Sequence, residues 1–306
     1  MARVIFFGNE QLASGITTTA PLLRSLIDND YIICYIILSQ KHVTSRPQKQ
    51  PAVETIAAQH NIPVLKPDKL SDIHDQIVSS QADVGILAAY GRIVPQETID
   101  LFEHGILNLH PSLLPKYRGS SPIEASILSG DDSTGISLMK LVSEMDAGPV
   151  FGFSEVPIAK DATKQQLHDD LMQAGVGLLE NLLPEILENN LNPLQQDHDS
   201  ATYSERLDKS AGQIDWNKPA EQIEREVRAY AGWPGSYSTV NEIKFAVTQA
   251  TVATMKGPVG TPFEADKQLG IYCGENALII EKLKPAGKKE MPAEAFLNGY
   301  STVLFK

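Results

Sequence analysis

The sequence predicts an α/β protein with a doubly wound, mostly parallel sheet, followed by a small β-barrel. In the first half of the chain, short apolar runs such as "IICYIIL" and "VGILAA" alternate with helical patterns. Runs that are apolar on both faces are typical of parallel strands covered by helices. Beyond residue 204, short alternating segments separated by Gly and Pro are typical of a small barrel. The length of 306 residues also favours two domains over one core.

The N-terminal elements succeed one another as strand, helix and strand. The patterns predict, in order, a strand in "RVIFFG", a helix in "APLLRSLIDN", a strand in "YIICYIILS", a helix near "AVETIAAQH", a strand in "IPVLKP", a helix near "IHDQIVSSQ", a strand in "DVGILAAYG", a short helix near "PQETIDLF" and a strand in "GILNLHPS". Ligands of such sheets bind outside the carboxyl ends of the strands. The segments 8–10, 90–92 and 108–110 are therefore candidates for a site.

The second half of the chain begins with a long helical pattern over residues 161–189. The pattern is lost in "NNLNPLQQDHDSATYSERL", which gathers Asn, Asp, Gln and Pro and is typical of a linker. A helix then starts near Pro219 and ends before a Trp-Pro-Gly turn, and short strands follow. We therefore expect a catalytic domain over 1–189, a linker over 190–204 and a β-barrel domain over 205–306.

Composition excludes several classes of protein. The 42% apolar and 21% charged residues are those of an ordinary globular protein rather than a disordered one. No apolar run approaches the roughly 18 to 20 residues that span a bilayer, so no membrane partner is expected. Cys34 and Cys273 lie far apart without a CxxC or Cys/His cluster, which argues against a zinc site or a disulfide framework. We expect no metal and a reducing compartment, the cytoplasm.

The net charge of −12 opposes a nucleic-acid partner, because phosphate contacts need Lys and Arg. The charge is unevenly distributed, however. Residues 1–199 carry 13 basic and 25 acidic side chains, whereas residues 200–306 carry 13 of each. A polyanion is therefore expected to contact the C-terminal third or a local basic loop.

The segment "NLHPSLLPKYRG", residues 108–119, places polar side chains at the end of a buried strand. Successive side chains of a strand alternate between its faces, so Asn108 and His110 lie on the same face. A buried amide or imidazole without a partner costs about 1 to 3 kcal/mol. These two side chains must therefore bind either neighbouring groups or a ligand.

A carboxylate follows in "LMKLVSEMDAGPVFGF", where Asp146 lies in a turn. A carboxylate can orient an imidazole, and an amide can donate to an oxygen that becomes negative, so the three groups together can support acyl transfer. The nucleophile would be an amine of the substrate, since no Ser or Cys occurs in a GxSxG sequence. The residues alone favour the simpler interpretation, in which His110 is a structural histidine and Asp146 a turn former or helix cap.

Other motifs are weaker candidates. The remaining histidines lie in polar or amphipathic contexts and are not expected to be catalytic: His42, His60, His74, His104, His168 and His198. The glycine of "FFGNE" could line a phosphate-binding turn, but GxGxxG is absent, so no dinucleotide site is expected.

The stretch "NLHPSLLPKYRGSSPIEASILSGDDSTGISLMKLVSEMDAGPV" is similar to the core of the folate-dependent formyltransferases, whose pattern is Asn-x-His-Pro-Ser-Leu-Leu-Pro with an Asp-x-Gly further on. Over its whole length the chain resembles the members of that family that act on methionyl-tRNA. The segments that carry this second resemblance are "ADVGILAAYGRIVP", "ATYSERLDKSAGQIDW" and "LKPAGKKEMPAEAFLNG".

The resemblance implies a one-carbon transferase that moves the formyl group of 10-formyltetrahydrofolate to the α-amino group of methionyl initiator tRNA. It implies a Rossmann-like catalytic domain, an OB-like barrel that binds tRNA, and a monomer. It also implies that Asn108, His110 and Asp146 are catalytic. The residues expected to contact the folate are Arg92, Val94, Ser112, Leu113, Leu114, Pro115, Ser143 and Met145.

The expected tRNA contacts form two basic clusters. Lys41, Arg46 and Lys49 belong to "SQKHVTSRPQKQPA", a loop that is usually longer in the family. The second cluster contains Lys282, Lys284, Lys288 and Lys289. The stretch "KPAGKKE" could instead be a solvated charged turn. Another difference is "GNEQL" at residues 8–12, where the family usually has Gly-Thr-Pro-x-Phe.

Two other functions stay open at this point. A sugar-nucleotide N-formyltransferase would use the same three catalytic residues on a different amine. A non-catalytic nucleotide- or RNA-binding protein could combine the same two domains.

Overall fold

The computed structural model describes residues 1–39 and 51–305. Lys41, Arg46 and Lys49 lie outside the described residues. The chain divides into two compact units. Unit 1 consists of Met1–Pro122, Ser133–Ile158 and Gln165–Glu205, and unit 2 of Ile123–Asp132, Ala159–Lys164 and Arg206–Lys306. Residues 190–204, expected to be a linker, thus lie within unit 1.

The elements of residues 1–205 follow the predicted succession. The strands are β1 (Arg3–Phe7), β2 (Ile32–Ile37), β3 (Val64–Leu65), β4 (Val84–Leu87), β5 (Ile106–His110), β6 (Arg118–Gly119), β7 (Ser133–Lys140), β8 (Val150–Pro157) and β9 (Tyr203–Ser204). The α-helices are α1 (Pro21–Asp28), α2 (Ala52–Gln59), α3 (His74–Ser80), α4 (Gln96–Ile99), α5 (Pro122–Ser129) and α6 (Lys164–Leu187). Short 3-10 helices occur at Leu70–Ile73 and His198–Ser200.

A seven-stranded sheet with the order β3-β2-β1-β4-β5-β7-β8 forms the centre of unit 1. The strands from β1 to β5 pair in parallel, and β7 and β8 add two antiparallel strands beside β5. The four residues at 4–7 in β1 are fully buried, as expected for a strand covered on both faces. The doubly wound, mostly parallel sheet is therefore confirmed.

The end of β5 lies in the middle of this sheet. Asn108 is opposite Leu87 of β4 on one side and Met139 of β7 on the other, and His110 is opposite Ser137 of β7. Because β4 and β5 are parallel, their carboxyl ends meet at the same edge. This edge is where the polar side chains of β5 lie.

Unit 2 contains an antiparallel sheet and helices packed on it. Its strands are β10 (Ser236–Val240), β11 (Ile243–Ala253), β12 (Pro262–Ala265), β13 (Gln268–Tyr272), β14 (Ala277–Pro285) and β15 (Met291–Pro292), and its further helices are α7 (Ala220–Ala229), α8 (Ala293–Leu304) and a 3-10 helix at Ser210–Gly212. Helix α7 begins after Pro219, as predicted. The core of unit 2 includes Phe245, Leu283 and Phe296, which are almost fully buried.

The OB-like barrel is not confirmed. Within the described residues the strand order is β10-β11-β14-β13-β12 with β15 beside β14, so β10 and β12 are the two ends of an open path. Strands that alternate buried and exposed residues fit a barrel, but they fit equally well a sheet with helices on one face. Here α7 and α8 contribute Ile223, Val227 and Phe296 to the buried side. Helix α8 is an addition to the predicted elements.

The helices within residues 1–39 and 51–305 do not include one that is both long and apolar enough to cross a membrane.

The loop after β1 is held by a buried carboxylate. Helix α1 has Ala20 at its N-cap, which offers no side-chain acceptor. Glu10 supplies it: the N–H groups of Leu22 and Leu23 donate to its carboxylate at 3.0 and 2.9 Å. The Glu10 N–H donates to the Ala88 carbonyl at 3.1 Å. The loop is therefore fastened both to α1 and to the residues that follow β4.

Burial raises the pKa of the Glu10 carboxyl from 4.5 to about 7, although its hydrogen bonds from α1 and the charge of Arg24 oppose the rise. Between pH 4.5 and about 7, the Glu10 carboxyl therefore keeps its proton in the folded protein, whereas in the unfolded chain it has released it. The stability that comes from this difference in proton binding is fully present below pH 4.5 and is lost as the pH rises through about 7.

We predict that the free energy of unfolding of the wild type falls relative to that of Glu10→Gln as the pH rises from about 4.5 to about 7. The change should be on the order of 3 kcal/mol. Urea denaturation at several pH values measures it, with the exposed Glu97→Gln as a control that should keep the wild-type pH dependence. Parallel curves for the wild type and Glu10→Gln would contradict the prediction.

Candidate active site

A cavity of about 520 Å³ opens at the carboxyl ends of β4 and β5. All of its lining residues come from unit 1. They belong to the loop after β1 (Gln11 and Leu12), the segment from Leu87 to Val94, residues 108–111, residues 119–122 and residues 141–146. The volume is in the range of sites for one organic small molecule, about 300 to 1,000 Å³.

The two polar residues of β5 face this cavity together. Asn108 and His110 are 7% and 4% exposed, and both line the cavity, as the alternation of side chains along a strand predicts. In the part of the chain that the structure describes, the Asn108 side-chain amide has no hydrogen-bond partner. Its donor groups are therefore available to a ligand.

The tautomer of His110 is set by a backbone carbonyl. Nε2 of His110 lies 2.9 Å from the Tyr117 carbonyl oxygen. A carbonyl oxygen only accepts, so Nε2 carries the proton and the neutral ring has its lone pair on Nδ1. Nδ1 lies 3.7 Å from Oδ2 of Asp146. That distance is too long for a hydrogen bond, but a protonated His110 would form an ion pair with this carboxylate.

Asp146 lies in a turn with a left-handed backbone, φ 48°. Its Oδ2 accepts a hydrogen bond of 2.8 Å from the Gly119 N–H. Gly119 has φ 111°, and a Cβ atom there would lie 2.4 Å from the Ser204 carbonyl oxygen, so only glycine fits. The carboxylate that faces His110 is thus fixed by a backbone group whose own position requires glycine.

The segment that contains Gly119 is fastened by residues near 203. Strands β6 and β9 pair in parallel, with Gly119 opposite Ser204. The Tyr117 N–H donates to Oγ1 of Thr202 at 2.9 Å, and the Ser121 N–H donates to Oγ of Ser204 at 3.1 Å. Both backbone groups that contact the candidate catalytic side chains, the Tyr117 carbonyl and the Gly119 N–H, lie within this fastened segment.

The expected folate contacts divide into two sets. Four of the residues line the cavity: Arg92, Val94, Ser143 and Met145. The other four are not part of its lining: Ser112, Leu113, Leu114 and Pro115. Instead, this loop is held against β7, because Oγ of Ser137 donates to the Ser112 carbonyl at 2.7 Å and accepts from the Leu114 N–H at 3.1 Å. Their contact with folate stays a prediction.

The walls of the cavity also include Tyr90, from the candidate segment 90–92, and residues that were not predicted, among them Leu87, Leu141 and Gln11. Leu87, Tyr90 and Leu141 provide apolar surface, and burial raises the pKa of the Tyr90 hydroxyl. The position of Tyr90 after a strand of the parallel sheet predicted its place at the site, and the same signal applies to Gln11, which directly follows the candidate segment 8–10. Within the described ranges, no group of three or more His, Cys, Asp and Glu side chains is placed to hold a metal ion.

The lysines of the second basic cluster are exposed on unit 2. Lys282 and Lys284 are two positions apart on β14 and alternate with the buried Leu283, so they share the outer face. Lys288 and Lys289 lie in the turn between β14 and β15. Their role in binding tRNA stays a prediction.

Comparison with known families gives two matches along the chain. Residues 4–183 match the family model described as formyl transferase. Residues 206–301 match the model described as formyl transferase, C-terminal domain.

Proteins of similar sequence align with this chain over nearly their full length. The chain is 33% identical to the methionyl-tRNA formyltransferase of Bacillus velezensis over 307 residues, which cover 98% of this chain and 95% of that protein. It is 32% identical to the methionyl-tRNA formyltransferase of Bacillus subtilis, with the same coverage.

Solved structures with a similar fold are more distant in sequence. An N-formyltransferase from Helicobacter canadensis, solved with folinic acid and dTDP-3-aminofucose, has a TM-score of 0.69 at 18% identity and covers 93% of this chain and 100% of that one. HypX from Aquifex aeolicus, solved with tetrahydrofolic acid, has a TM-score of 0.64 at 18% identity and covers 97% of this chain and 47% of that one.

Proposed function

The chain belongs to the formyl transferase family, and from this premise we propose that it transfers the formyl group of 10-formyltetrahydrofolate to the α-amino group of methionyl initiator tRNA. One observation carries the proposed chemistry: Asn108, His110 and Asp146 line the same cavity. The full-length relatives named methionyl-tRNA formyltransferase support the choice of acceptor.

The cavity fits a folate. Its apolar walls, with Leu87, Tyr90 and Leu141, suit the flat ring system of the cofactor. Backbone groups of the segments 87–94 and 141–146, which border the cavity, can bind the polar edge of the ring. Arg92, Val94, Ser143 and Met145 would hold the ring from these loops. The bound cofactor supplies the formyl carbon that the amine attacks.

The three catalytic candidates divide the reaction between them. His110 would accept the proton of the attacking amine at Nδ1 and return it to the nitrogen from which the formyl group departs. The Asp146 carboxylate, 3.7 Å away, would stabilise the charged imidazole. Asn108 would donate a hydrogen bond to the formyl oxygen as that oxygen becomes negative. The new bond joins the amine to the formyl carbon.

The tRNA would bind outside the cavity through local positive charge. Lys284, Lys288 and Lys289 are exposed, and Lys41, Arg46 and Lys49 belong to the first basic cluster of the sequence. With a net charge of −12, the field of the whole protein repels phosphates, so binding would depend on a few lysines and arginines. We also propose that the protein acts in the cytoplasm and as a monomer. The monomer is supported by the cavity, whose lining residues all come from unit 1 of one chain.

The function is tested by offering radiolabelled 10-formyltetrahydrofolate with one acceptor at a time. We expect label in methionyl-tRNA and none in a dTDP-amino sugar. Transfer to the amino sugar alone would identify a sugar-nucleotide formyltransferase. Binding of tRNA without transfer of label to any amine would identify a non-catalytic protein and contradict the proposed function.

We predict that Asn108→Ala, His110→Ala and Asp146→Ala each lower the turnover number by about two or more orders of magnitude, since each removes an acid–base or oxyanion group. Formylation of methionyl-tRNA is measured at saturating concentrations of both substrates, and circular dichroism verifies the fold. A folded His110→Ala protein with near wild-type turnover would remove His110 from the mechanism.

We predict that replacing Lys288 and Lys289 by Gln raises the KM for methionyl-tRNA and flattens its salt dependence, because two phosphate contacts are lost. Turnover at saturating tRNA should change little. The matched control replaces Lys256 and Lys267, which are exposed elsewhere in unit 2, and should keep the wild-type KM. If the turn is only solvated, both the KM and the salt slope will stay at their wild-type values.

A further inference from the structure

We propose that Gln196 is a positioning residue for the catalytic carboxylate: its side-chain amide holds the turn that carries Asp146 at a fixed distance from His110. The inference rests on the proposed function, because it assigns a role within that reaction. It concerns a residue of the stretch 190–204, which the sequence alone assigns to a linker.

The Gln196 amide binds the Asp146 turn directly. Its Nε2 donates to the Asp146 carbonyl at 2.9 Å and to the Gly148 carbonyl at 2.6 Å. These bonds span 50 and 48 positions of the sequence. The side chain is nearly buried, with 8% of the residue exposed. Both N–H donors of the amide are therefore used on the backbone of one turn.

The amide oxygen is bound just as completely. Oε1 of Gln196 accepts from Nε of Arg118 at 3.0 Å and from Nη2 of Arg118 at 2.7 Å. Arg118 is only 2% exposed, so its planar guanidinium is held in place by packing. With two donors and both acceptor sites of the oxygen occupied, the amide has one satisfied orientation.

Gln196 also connects the Asp146 turn with the segment that donates to the Asp146 carboxylate. Arg118 precedes Gly119, whose N–H donates to Oδ2 of Asp146. Gln196 therefore binds both the turn that contains the carboxylate and the strand β6 that contains its donor. One side chain fixes both ends of the hydrogen bond that aims the carboxylate at His110.

The backbone of the Asp146 turn is also constrained by a close approach to β7. Asp146 itself has a left-handed φ of 48°, a conformation that Asp adopts more readily than most residues. Gly148 approaches β7 so closely that a Cβ atom would lie 1.8 Å from the Lys140 carbonyl oxygen. The carbonyls of Asp146 and Gly148 in this same turn are the groups to which the Gln196 amide donates.

The substitution Gln196→Glu separates the two halves of this contact. The carboxylate keeps the length of the side chain and still accepts from Arg118, with which it forms a buried ion pair. It loses both donors and places a negative oxygen against the carbonyls of Asp146 and Gly148. We expect a folded protein whose turn has shifted away from His110.

The expected result is a fall in kcat of about 10- to 100-fold with a change of less than about three-fold in the KM for either substrate, since the loss is one of catalytic geometry. Gln195→Glu is the matched control, because this neighbour is exposed and acquires the same charge. It should retain the wild-type kcat. Should Gln196→Glu fail to fold, Gln196→Met, which has a similar length, no donor and only a weak acceptor, is measured by the same criteria.

A double-mutant cycle distinguishes positioning from a general structural role. In single-turnover assays, Gln196→Glu should have almost no further effect in the Asp146→Asn protein, because its effect passes through the carboxylate. The inference about Gln196 would be overturned, and the proposed function left intact, by either of two results. One is an equal fold-loss in the wild-type and Asp146→Asn backgrounds, and the other is a wild-type kcat for a folded Gln196→Glu protein. A wild-type protein that formylates no amine would overturn the proposed function and remove the basis of the inference.

Discussion

The hydrogen bond of 2.8 Å from the Gly119 N–H to the Asp146 carboxylate joins two segments that reach the cavity from different strands. Gly119 belongs to β6, and Asp146 lies in the turn between β7 and β8. His110 reaches the same point from β5 and is bound by the Tyr117 carbonyl. The geometry of the site therefore depends on how firmly residues 117–119 are held relative to that turn.

Much of this support comes from main-chain groups. The Tyr117 carbonyl sets the tautomer of His110, the Gly119 N–H aims the carboxylate, and the Asp146 carbonyl anchors its turn. Main-chain groups at fixed positions do not need to reorganise during a reaction, which is an advantage in the proposed mechanism, where charge develops on the imidazole and on the formyl oxygen. The position of one of these groups requires glycine, because a Cβ atom at residue 119 would lie 2.4 Å from the Ser204 carbonyl oxygen.

The sequence predicted the main features of the fold but not all of its details. The alternating apolar runs and helical patterns are sufficient for the doubly wound sheet, because strands covered on both faces have a distinctive composition. The OB-like barrel was not confirmed, since alternation along strands such as β10 shows that one face is buried but not what covers it. Four of the expected folate contacts line the cavity, whereas the loop 112–115 is held by Ser137, a partner more than twenty positions away.

By itself, the sequence determined that two polar side chains of one strand lie together: Asn108 and His110 share a face because side chains alternate along a strand, and both line the cavity. Only the tertiary structure decided which nitrogen of His110 carries the proton, that Glu10 caps helix α1 from another loop, and that Gln196 binds the Asp146 turn. The physical reason is common to all three. Each contact uses a backbone N–H or carbonyl, which nearly every residue possesses, so its partner is chosen by the path of the chain and leaves no pattern in the sequence.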